Sequence, residues 1–368
     1  MRYYLCLLPI IFYALFYPIS VQADVQVSAN NAVLMEQSSG RVLFEKNAHE
    51  KRPIASITKV MTAIIAIESG KMKEKVKTSR KAIYTEGSSI YLELGEKMTL
   101  EDLVYGLMLR SGNDAAVAIS EHIGGSVEGF VYLMNEKAKW IGMTNTNFTN
   151  PHGLHDDNHY SSAYDMALLM RYAMENELFK KISSTTTYQS ENRSYAWQNK
   201  NKLLTYYYDH CTGGKTGFTK NAGRTLITTA HKDNMDLITV TLNGPDDWRD
   251  HIQLFEWGFK NFELYTLKKE GEIQFKTKET ESLINGYIHR PVYYPLSEKE
   301  LRNIKSQIFL LQSPIKSNED KIGKITFQLD EKNMKDAPIF STKNKTDNHL
   351  YGEAFQLFKR IMGLNIDG

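Results

Sequence analysis

Cysteine is almost missing from this chain of 368 residues, which has only Cys6 and Cys211. Residues 1–23 carry one cation, then an apolar stretch, then small residues at the positions typical of a cleavage site after Ala23. This pattern predicts a secretory signal peptide, and a retained membrane anchor is the alternative. Cleavage would remove Cys6 and leave one thiol. We therefore expect an exported protein whose mature form has no internal disulfide.

An excess of charge of one sign is also missing. The chain has 45 Lys and Arg residues against 43 Asp and Glu residues, a formal net charge of +2 that becomes +1 if Arg2 leaves with the signal peptide. This balance gives no indication of nucleic acid or of another strongly charged partner. We find no internal repeat and no low-complexity tract, and the length is sufficient for two or three domains with a sizeable core.

Residues 24–262 mix patterns typical of strands and of helices, which predicts a domain with both α and β structure and no more than that. Alternating runs around Ser38-Ser39-Gly40 predict a β-hairpin. The segment 100–125 has apolar residues at helical spacing and should stop at Gly124-Gly125. Two β-rich runs and a helical pattern complete this zone, at residues 225–231, 235–243 and 251–262.

The remainder of the chain has a different pattern. Residues 266–342 contain short alternating runs and predict a small, separate all-β domain similar to a β-sandwich. Residues 350–364 place apolar side chains on one face of a helix and charged side chains on the other. This C-terminal amphipathic helix either packs on the protein or lies in a membrane surface, and the pattern does not decide between the two.

Ser56 and Lys59 stand three residues apart in the segment PIASITKVMTAIIAI, which looks helical. Ser56 could simply cap the helix. If instead Ser56 begins the helix, Lys59 lies on the same face, where a desolvated amine could take the proton of the hydroxyl. The bare spacing is weak evidence, because Ser313 and Lys316 share it in the β-rich zone, where no helix follows.

Two further short motifs follow in order. Ser111-Gly112-Asn113 comes after an apolar helical segment and alone would indicate a turn between two helices. Gly213-Gly214-Lys215-Thr216-Gly217-Phe218-Thr219 precedes a strand-like run. Its lysine and threonine could hold a carboxylate, while its glycines would allow a close backbone approach. The spacing is not that of a phosphate loop.

Taken together, the three motifs resemble the active-site signature of penicillin-binding proteins and serine β-lactamases. The surrounding sequence, including CTGGKTGFTKNAGRTLITTA, is similar to low-molecular-mass serine D-alanyl-D-alanine carboxypeptidases over residues 24–262. The β domain and terminal helix match the usual tail of that family. The CTGGKTGFT and TLNGPDDWRDH stretches are most similar to its sporulation-associated members. The resemblance implies an α+β fold with a β-lactamase/transpeptidase-like domain, in which an antiparallel sheet is flanked by helices and accompanied by a helical subdomain.

The resemblance also implies roles for the motif residues. Ser56 would attack the peptide bond between the last two D-alanines of a peptidoglycan stem peptide, and Lys59 would accept its proton. Ser111 would relay a proton toward the leaving amine, and Asn113 would position the substrate. The assignment of the acylation base is disputed in this superfamily, so the role of Lys59 is less secure than that of Ser56. β-Lactam antibiotics would trap Ser56 as a slowly hydrolysed ester.

The lysine–threonine–glycine motif supplies the other implied contacts. Lys215 and Thr216 would bind the terminal carboxylate of the substrate, and Gly217 belongs to the same binding strand. The backbone N–H groups of Ser56 and Phe218 would form the oxyanion hole. No cofactor is implied. The expected location is the outer face of the bacterial cytoplasmic membrane or the forespore membrane space.

Other polar residues have simpler interpretations. His152 and His155, beside two aspartates, could suggest a metal site, but the resemblance makes this segment a loop and we expect no metal there. Cys211 is expected to be a small buried side chain near the binding strand. Lys200 and Arg249 could add positive potential near the carboxylate site, although surface ion pairing explains them equally well.

Three rival functions use the same residues or the same fold. A dedicated penicillinase usually carries a Glu-x-x-Leu-Asn motif, which does not occur between Asn113 and Lys215, although other lactamase classes manage without it. A D,D-endopeptidase is not excluded. A non-enzymatic wall-binding scaffold should show damage in at least one motif, and all three are intact.

Overall fold

The computed structural model describes residues 25–276, 283–311 and 321–341. The predicted signal peptide (residues 1–23) and the predicted amphipathic helix (residues 350–364) lie outside these described residues, as do Ser313 and Lys316. None of the helices within the described ranges has the length and hydropathy needed to span a bilayer.

The secondary structure mixes helices and strands along the whole domain that carries the three motifs. In chain order, the strands are β1 (Asn31–Glu36), β2 (Val42–Lys46), β3 (Lys75–Lys77), β4 (Lys97–Thr99), β5 (Thr187–Tyr188), β6 (Trp197–Gln198), β7 (Cys211–Thr219), β8 (Gly223–Lys232), β9 (Met235–Leu242), β10 (Glu263–Lys268), β11 (Gly271–Lys276), β12 (Leu283–Ile288), β13 (Val292–Leu296), β14 (Ile304–Leu310), β15 (Lys321–Leu329) and β16 (Lys332–Phe340).

The α-helices separate the first strands from the later ones. They are α1 (Lys59–Glu68), α2 (Arg80–Ile83), α3 (Leu100–Tyr105), α4 (Asn113–Gly124), α5 (Val127–Ile141), α6 (Ala163–Ala173), α7 (Glu177–Ser184), α8 (Asp247–Asn261) and α9 (Glu298–Leu301). A 3₁₀ turn, Ala55–Thr58, precedes α1, and π-helical segments occupy Gly106–Arg110 and Leu203–Tyr207.

A five-stranded antiparallel sheet forms the centre of the first domain, in the order β2-β1-β9-β8-β7. Because successive side chains of a strand point to opposite faces, Val33 and Met35 join the core around α1 while Ala32 and Leu34 join the core around α8. The sheet is therefore buried on both faces. Strand β7 is left at one edge, which puts the lysine–threonine–glycine motif at the border of the sheet.

The sequence predicts the main elements of this domain correctly. β1 and β2 form the predicted hairpin, and β8 and β9 are the two β-rich runs after the third motif. The segment 100–125 is interrupted: α3 continues into the π-helical segment, and α4 begins only at Asn113 and ends at the predicted Gly124. Ser111 and Gly112 therefore lie in a break between two helices.

The second domain is built from strands and one short helix. Its larger sheet has the order β11-β12-β16-β15-β14, and β10 pairs with β13. Apolar side chains from these strands, among them Ile288, Phe327 and Ile339, form a core of their own. Arg41 of the first domain joins the two: its guanidinium binds the Glu300 carboxylate and the Pro295 carbonyl.

One buried polar cluster behind the sheet predicts how stability depends on pH. His251 of α8 lies within hydrogen-bonding distance of the Thr228 and Thr241 hydroxyls, at 2.6 and 3.0 Å, and burial lowers its pKa to about 3. An unfolded histidine titrates near pH 6.5. Between these two pH values the histidine binds a proton in the unfolded chain but not in the folded chain. The free energy of unfolding therefore falls as pH decreases.

We expect His251→Gln to reduce this acid sensitivity. The free energy of unfolding, measured by urea denaturation between pH 6.5 and pH 4, should depend less steeply on pH. Its slope against pH should decrease by the contribution of about one bound proton, roughly 1.4 kcal/mol per pH unit at most. The variant will be less stable at neutral pH, so the slope and not the absolute value is compared. An unchanged slope would contradict the prediction.

Candidate active site

Ser56 lies in the 3₁₀ turn immediately before α1. The predicted helix is confirmed, with a tighter first turn than expected, because α1 continues the turn from Lys59 to Glu68. Neither Ile54 nor Thr58, the residues that precede the two helical segments, makes a side-chain cap. The Ser56 hydroxyl instead accepts a hydrogen bond of 3.0 Å from the Lys59 amine. The interpretation of Ser56 as a helix cap is therefore wrong.

The Lys59 amine is buried and surrounded by oxygen acceptors. Besides Ser56 Oγ, it donates to Asn113 Oδ1 at 2.7 Å and to the His152 carbonyl at 2.6 Å. Its pKa lies well below the ordinary value, first because burial penalises the ammonium ion and then because Lys215 and Lys200 repel it. A lysine whose pKa is lowered in this way can act as a base more readily than an exposed one.

Ser111 and Asn113 reach the same place from the break between α3 and α4. Ser111 has a φ of +64°, in the left-handed region that a non-glycine residue rarely adopts. The Asn113 side chain is fixed at both ends, since its oxygen accepts from Lys59 and its Nδ2 donates to the Glu86 carbonyl at 2.5 Å. The turn interpretation and the functional interpretation of this motif are thus compatible.

Lys215 approaches from the edge strand β7. Its buried amine donates to Ser111 Oγ at 3.1 Å and to the carbonyl of Thr216 at 2.6 Å. Burial, with repulsion from Lys200 as the smaller cause, lowers its pKa to about 7. The two lysines therefore enter the site from different elements, and each contacts one of the two serines.

Gly217 explains how β7 comes so close to Ser56. A Cβ at Gly217 would lie 2.4 Å from Thr225 Oγ1 and 2.9 Å from the backbone nitrogen of Ser56, so there is no room for a side chain. Thr216 is half-buried, and the Phe218 ring is 66 % exposed. Gly217 thus brings the edge strand β7 against the turn that carries Ser56.

Lys200 affects the two buried lysines of the site, although its sequence context does not indicate this. Among the described residues it makes no ion pair, so surface ion pairing does not explain it. Its side chain is exposed, its amine donates to Ser88 Oγ at 3.2 Å, and its charge helps to lower the pKa values of both Lys59 and Lys215. Arg249 lies elsewhere, on α8 beside Val25–Ser28.

The loop that contains His152 contributes through its backbone, which no side-chain motif could reveal. The His152 carbonyl binds Lys59, while the imidazole is buried and its pKa is lowered to about 3. Within the described ranges, no cluster of three or more His, Cys, Asp or Glu side chains could hold a metal ion. Cys211 is buried at the start of β7 as expected, and burial raises its pKa to about 11.

Comparisons with known proteins give the same family over most of the chain. Residues 18–246 match the family model described as D-alanyl-D-alanine carboxypeptidase, and residues 259–346 match the penicillin-binding protein 5 C-terminal domain. The D-alanyl-D-alanine carboxypeptidase DacF of Bacillus subtilis is 34% identical over 86% of this chain and 86% of its own length. DacC of Escherichia coli is 31% identical over 94% of this chain and 92% of its own.

A solved structure shows the same architecture. Penicillin-binding protein 5 from Haemophilus influenzae superposes with a TM-score of 0.74 at 30% identity, covering 86% of this chain and 97% of that one. The fold is therefore the penicillin-binding-protein-like transpeptidase fold followed by an all-β C-terminal domain. The matches extend over both domains. The chain belongs to the D-alanyl-D-alanine carboxypeptidase family.

Proposed function

We propose that this chain is a serine D-alanyl-D-alanine carboxypeptidase that removes the terminal D-alanine from peptidoglycan stem peptides. The observation that carries the proposal is the buried Lys59 amine, 3.0 Å from the Ser56 hydroxyl, with a second cation on the adjacent edge strand. The names of the similar proteins support the reaction and the substrate class.

Acylation begins with transfer of the Ser56 proton to Lys59. A neutral amine has two N–H donors and one lone pair. In this neutral form the two N–H donors satisfy Asn113 Oδ1 and the His152 carbonyl, and the lone pair replaces the N–H that pointed to Ser56 Oγ, so that the Ser56 hydroxyl becomes the donor. Ser56 then attacks the carbonyl carbon of the penultimate D-alanine. The developing negative charge is held by the backbone N–H groups of Ser56 and Phe218.

The leaving D-alanine requires a proton on its nitrogen and a partner for its carboxylate. Ser111 relays the proton: its hydroxyl gives its own proton to the leaving nitrogen and is reprotonated by Lys215, from which it accepts a hydrogen bond. Lys215 and Thr216 bind the carboxylate, which explains a preference for a C-terminal residue. Water then hydrolyses the ester on Ser56: the proton lost by the water returns through Ser111 to Lys215, Lys59 gives its proton back to Ser56 Oγ, and the shortened peptide leaves. A β-lactam ring enters the same route and remains as a long-lived ester.

The position of β7 at the sheet edge favours an extended peptide as the substrate. An edge strand has backbone groups with no partner strand on one side, and a peptide can add to it as a further strand. Gly217 keeps this edge within reach of Ser56. A stem peptide lying along β7 would therefore have its scissile carbonyl beside the nucleophile.

The finer assignments rest on the sequence patterns. We include in the proposal an exported chain with a catalytic domain at residues 24–262 and a separate β domain at residues 266–342. Residues 350–364 would attach it to the outer face of the membrane. The resemblance of the CTGGKTGFT and TLNGPDDWRDH stretches to sporulation-associated carboxypeptidases is the reason to include a role in spore cortex or wall maturation.

Ser56→Ala should abolish covalent labelling by a fluorescent penicillin, because Ser56 is the hydroxyl in contact with the Lys59 amine and would form the ester. The measurement is gel fluorescence of the full chain after denaturation. Ser313→Ala is the matched control, since it removes the serine of the second pair with the same spacing and should label as the wild type does. Strong labelling that survives Ser56→Ala would remove the proposed nucleophile.

The pKa of Lys215 predicts how substrate selection depends on pH. Because only the protonated amine attracts a carboxylate, the preference for an acid-terminated peptide over its methyl ester should fall as pH rises through about 7. We expect the ratio of the two kcat/KM values to decrease by up to about tenfold per pH unit above that point. A ratio that is constant from pH 6 to pH 9 would argue against carboxylate binding by Lys215.

The charge of Lys200 predicts a change in the pH dependence of acylation, through the pKa of Lys59. Removing its charge by Lys200→Gln should raise the pKa of Lys59, so that acylation by benzylpenicillin requires a higher pH. The apparent pKa of the acylation rate constant is the measurement. Lys202→Gln, an exposed lysine two residues away, is the control and should leave the profile in place. Identical shifts in both variants would point to net charge alone.

A further inference from the structure

A chain of hydrogen bonds reaches the turn of the nucleophile from the loop Thr149–His159. His159 is buried and contacts Thr58 through Nε2 at 2.8 Å and the Thr149 backbone N–H through Nδ1 at 3.1 Å. The Thr58 hydroxyl in turn donates to the carbonyl of Ala55 at 2.8 Å. Ala55 is the residue immediately before Ser56. The chain therefore ends at the peptide group that leads into the nucleophile.

Donor and acceptor chemistry fixes the direction of every bond in this chain. The Ala55 carbonyl can only accept, so the single proton of the Thr58 hydroxyl points to it. Thr58 Oγ1 must then accept from His159, which places the imidazole proton on Nε2. Nδ1 is left unprotonated and accepts the Thr149 backbone N–H, which can only donate. A neutral His159 therefore satisfies both of its contacts, and burial lowers its pKa to about 4 in agreement.

The turn that receives this chain is strained. Ala55 has a φ of +49°, in the left-handed region, although it is not glycine. A residue in such a conformation keeps it only when its surroundings hold it there. Thr225 of β8 donates to the Ile54 carbonyl at 2.9 Å, and Gly153 packs so closely that a Cβ would lie 2.0 Å from the Ala55 oxygen. His159, acting through Thr58, is the third contact at this turn.

We propose that His159 is a positioning residue for acylation, which holds the Ala55–Ser56 peptide through the Thr58 hydroxyl and so sets the direction of Ser56 Oγ toward Lys59. The proposal rests on the proposed function, since it concerns the rate at which Ser56 is acylated. His159 does not touch the substrate or the reacting atoms. Its effect is on the geometry of attack, where a misplacement of about 1 Å can cost up to a hundredfold in rate.

The same helix supplies a control that separates this role from ordinary packing. Thr62 lies one turn after Thr58 on α1, is equally buried, and donates to the Pro151 carbonyl of the same loop at 2.6 Å. Its hydrogen bond joins the same two segments but does not reach Ala55. Thr58→Val and Thr62→Val therefore each replace one buried hydroxyl by a methyl group. The two sites differ mainly in their connection to the nucleophile.

The experiment measures the second-order rate constant for acylation of the full chain by fluorescent penicillin, together with the melting temperature. We expect Thr58→Val to acylate at least about tenfold more slowly and Thr58→Ser to stay within about threefold of the wild type. Thr62→Val should also stay within about threefold, even where it loses as much thermal stability. The rate constant comes from the time course, so a partly unfolded sample does not imitate the effect.

Two variants of His159 test the chain from its other end. His159→Gln keeps an N–H donor at the distance of Nε2 and should retain most of the rate. His159→Asn keeps an acceptor near Nδ1 but cannot reach Thr58, so it should acylate about as slowly as Thr58→Val. Because the two residues act in series, the double variant His159→Asn/Thr58→Val should be no slower than the slower single variant.

Either of two results would overturn the inference. One is a Thr58→Val rate constant equal to that of the wild type. The other is an equal loss of rate in Thr58→Val and Thr62→Val, which would assign the effect to general packing of the loop. Both differ from a failure of the proposed function, which would appear as an absence of Ser56 labelling in the wild-type chain.

Discussion

One buried amine organises this protein. The Lys59 side chain has no exposed surface and satisfies three oxygens that belong to three separate segments: Ser56 before α1, Asn113 at the start of α4, and the carbonyl of His152. A buried amine without hydrogen-bond partners would be destabilising, so each of these segments must fold correctly for the amine to be accommodated. The contacts that satisfy the amine in the folded chain also place it beside the Ser56 hydroxyl.

The sheet and the helices serve this arrangement from two sides. Strand β7 approaches Ser56 closely because Gly217 has no side chain between them, and β7 is the edge strand of the sheet. On the other side, the break before Asn113 turns Ser111 toward Lys215. The second domain stays apart from this chemistry and is joined to the first by Arg41, whose guanidinium lies over the rings of Phe262 and Tyr294.

The sequence was sufficient to predict the three motifs, the hairpin, the two β-rich runs and the terminal helix of the first domain, because each has a local signal of periodicity or turn chemistry. It did not predict the partners of Lys59 and Ser56 that act through the backbone. A carbonyl such as that of His152 has no residue type, and the left-handed conformation of Ala55 is imposed by contacts that are distant in the chain. The influence of Lys200 could not be predicted for a related reason: it acts by charge repulsion on the buried Lys59 and Lys215, and this depends on positions in space and not on a motif.

The lowered pKa of Lys215 has a consequence for the heat of ligand binding. Near neutral pH the Lys215 amine is only partly protonated, because burial and a neighbouring cation oppose its charge. A ligand that brings a carboxylate supplies the missing counter-ion and stabilises the charged form. Association with such a ligand would then draw a proton from solution, and the heat of binding would vary with the ionisation enthalpy of the buffer. The Lys215 ammonium would thus gain its carboxylate counter-ion only when such a ligand is bound.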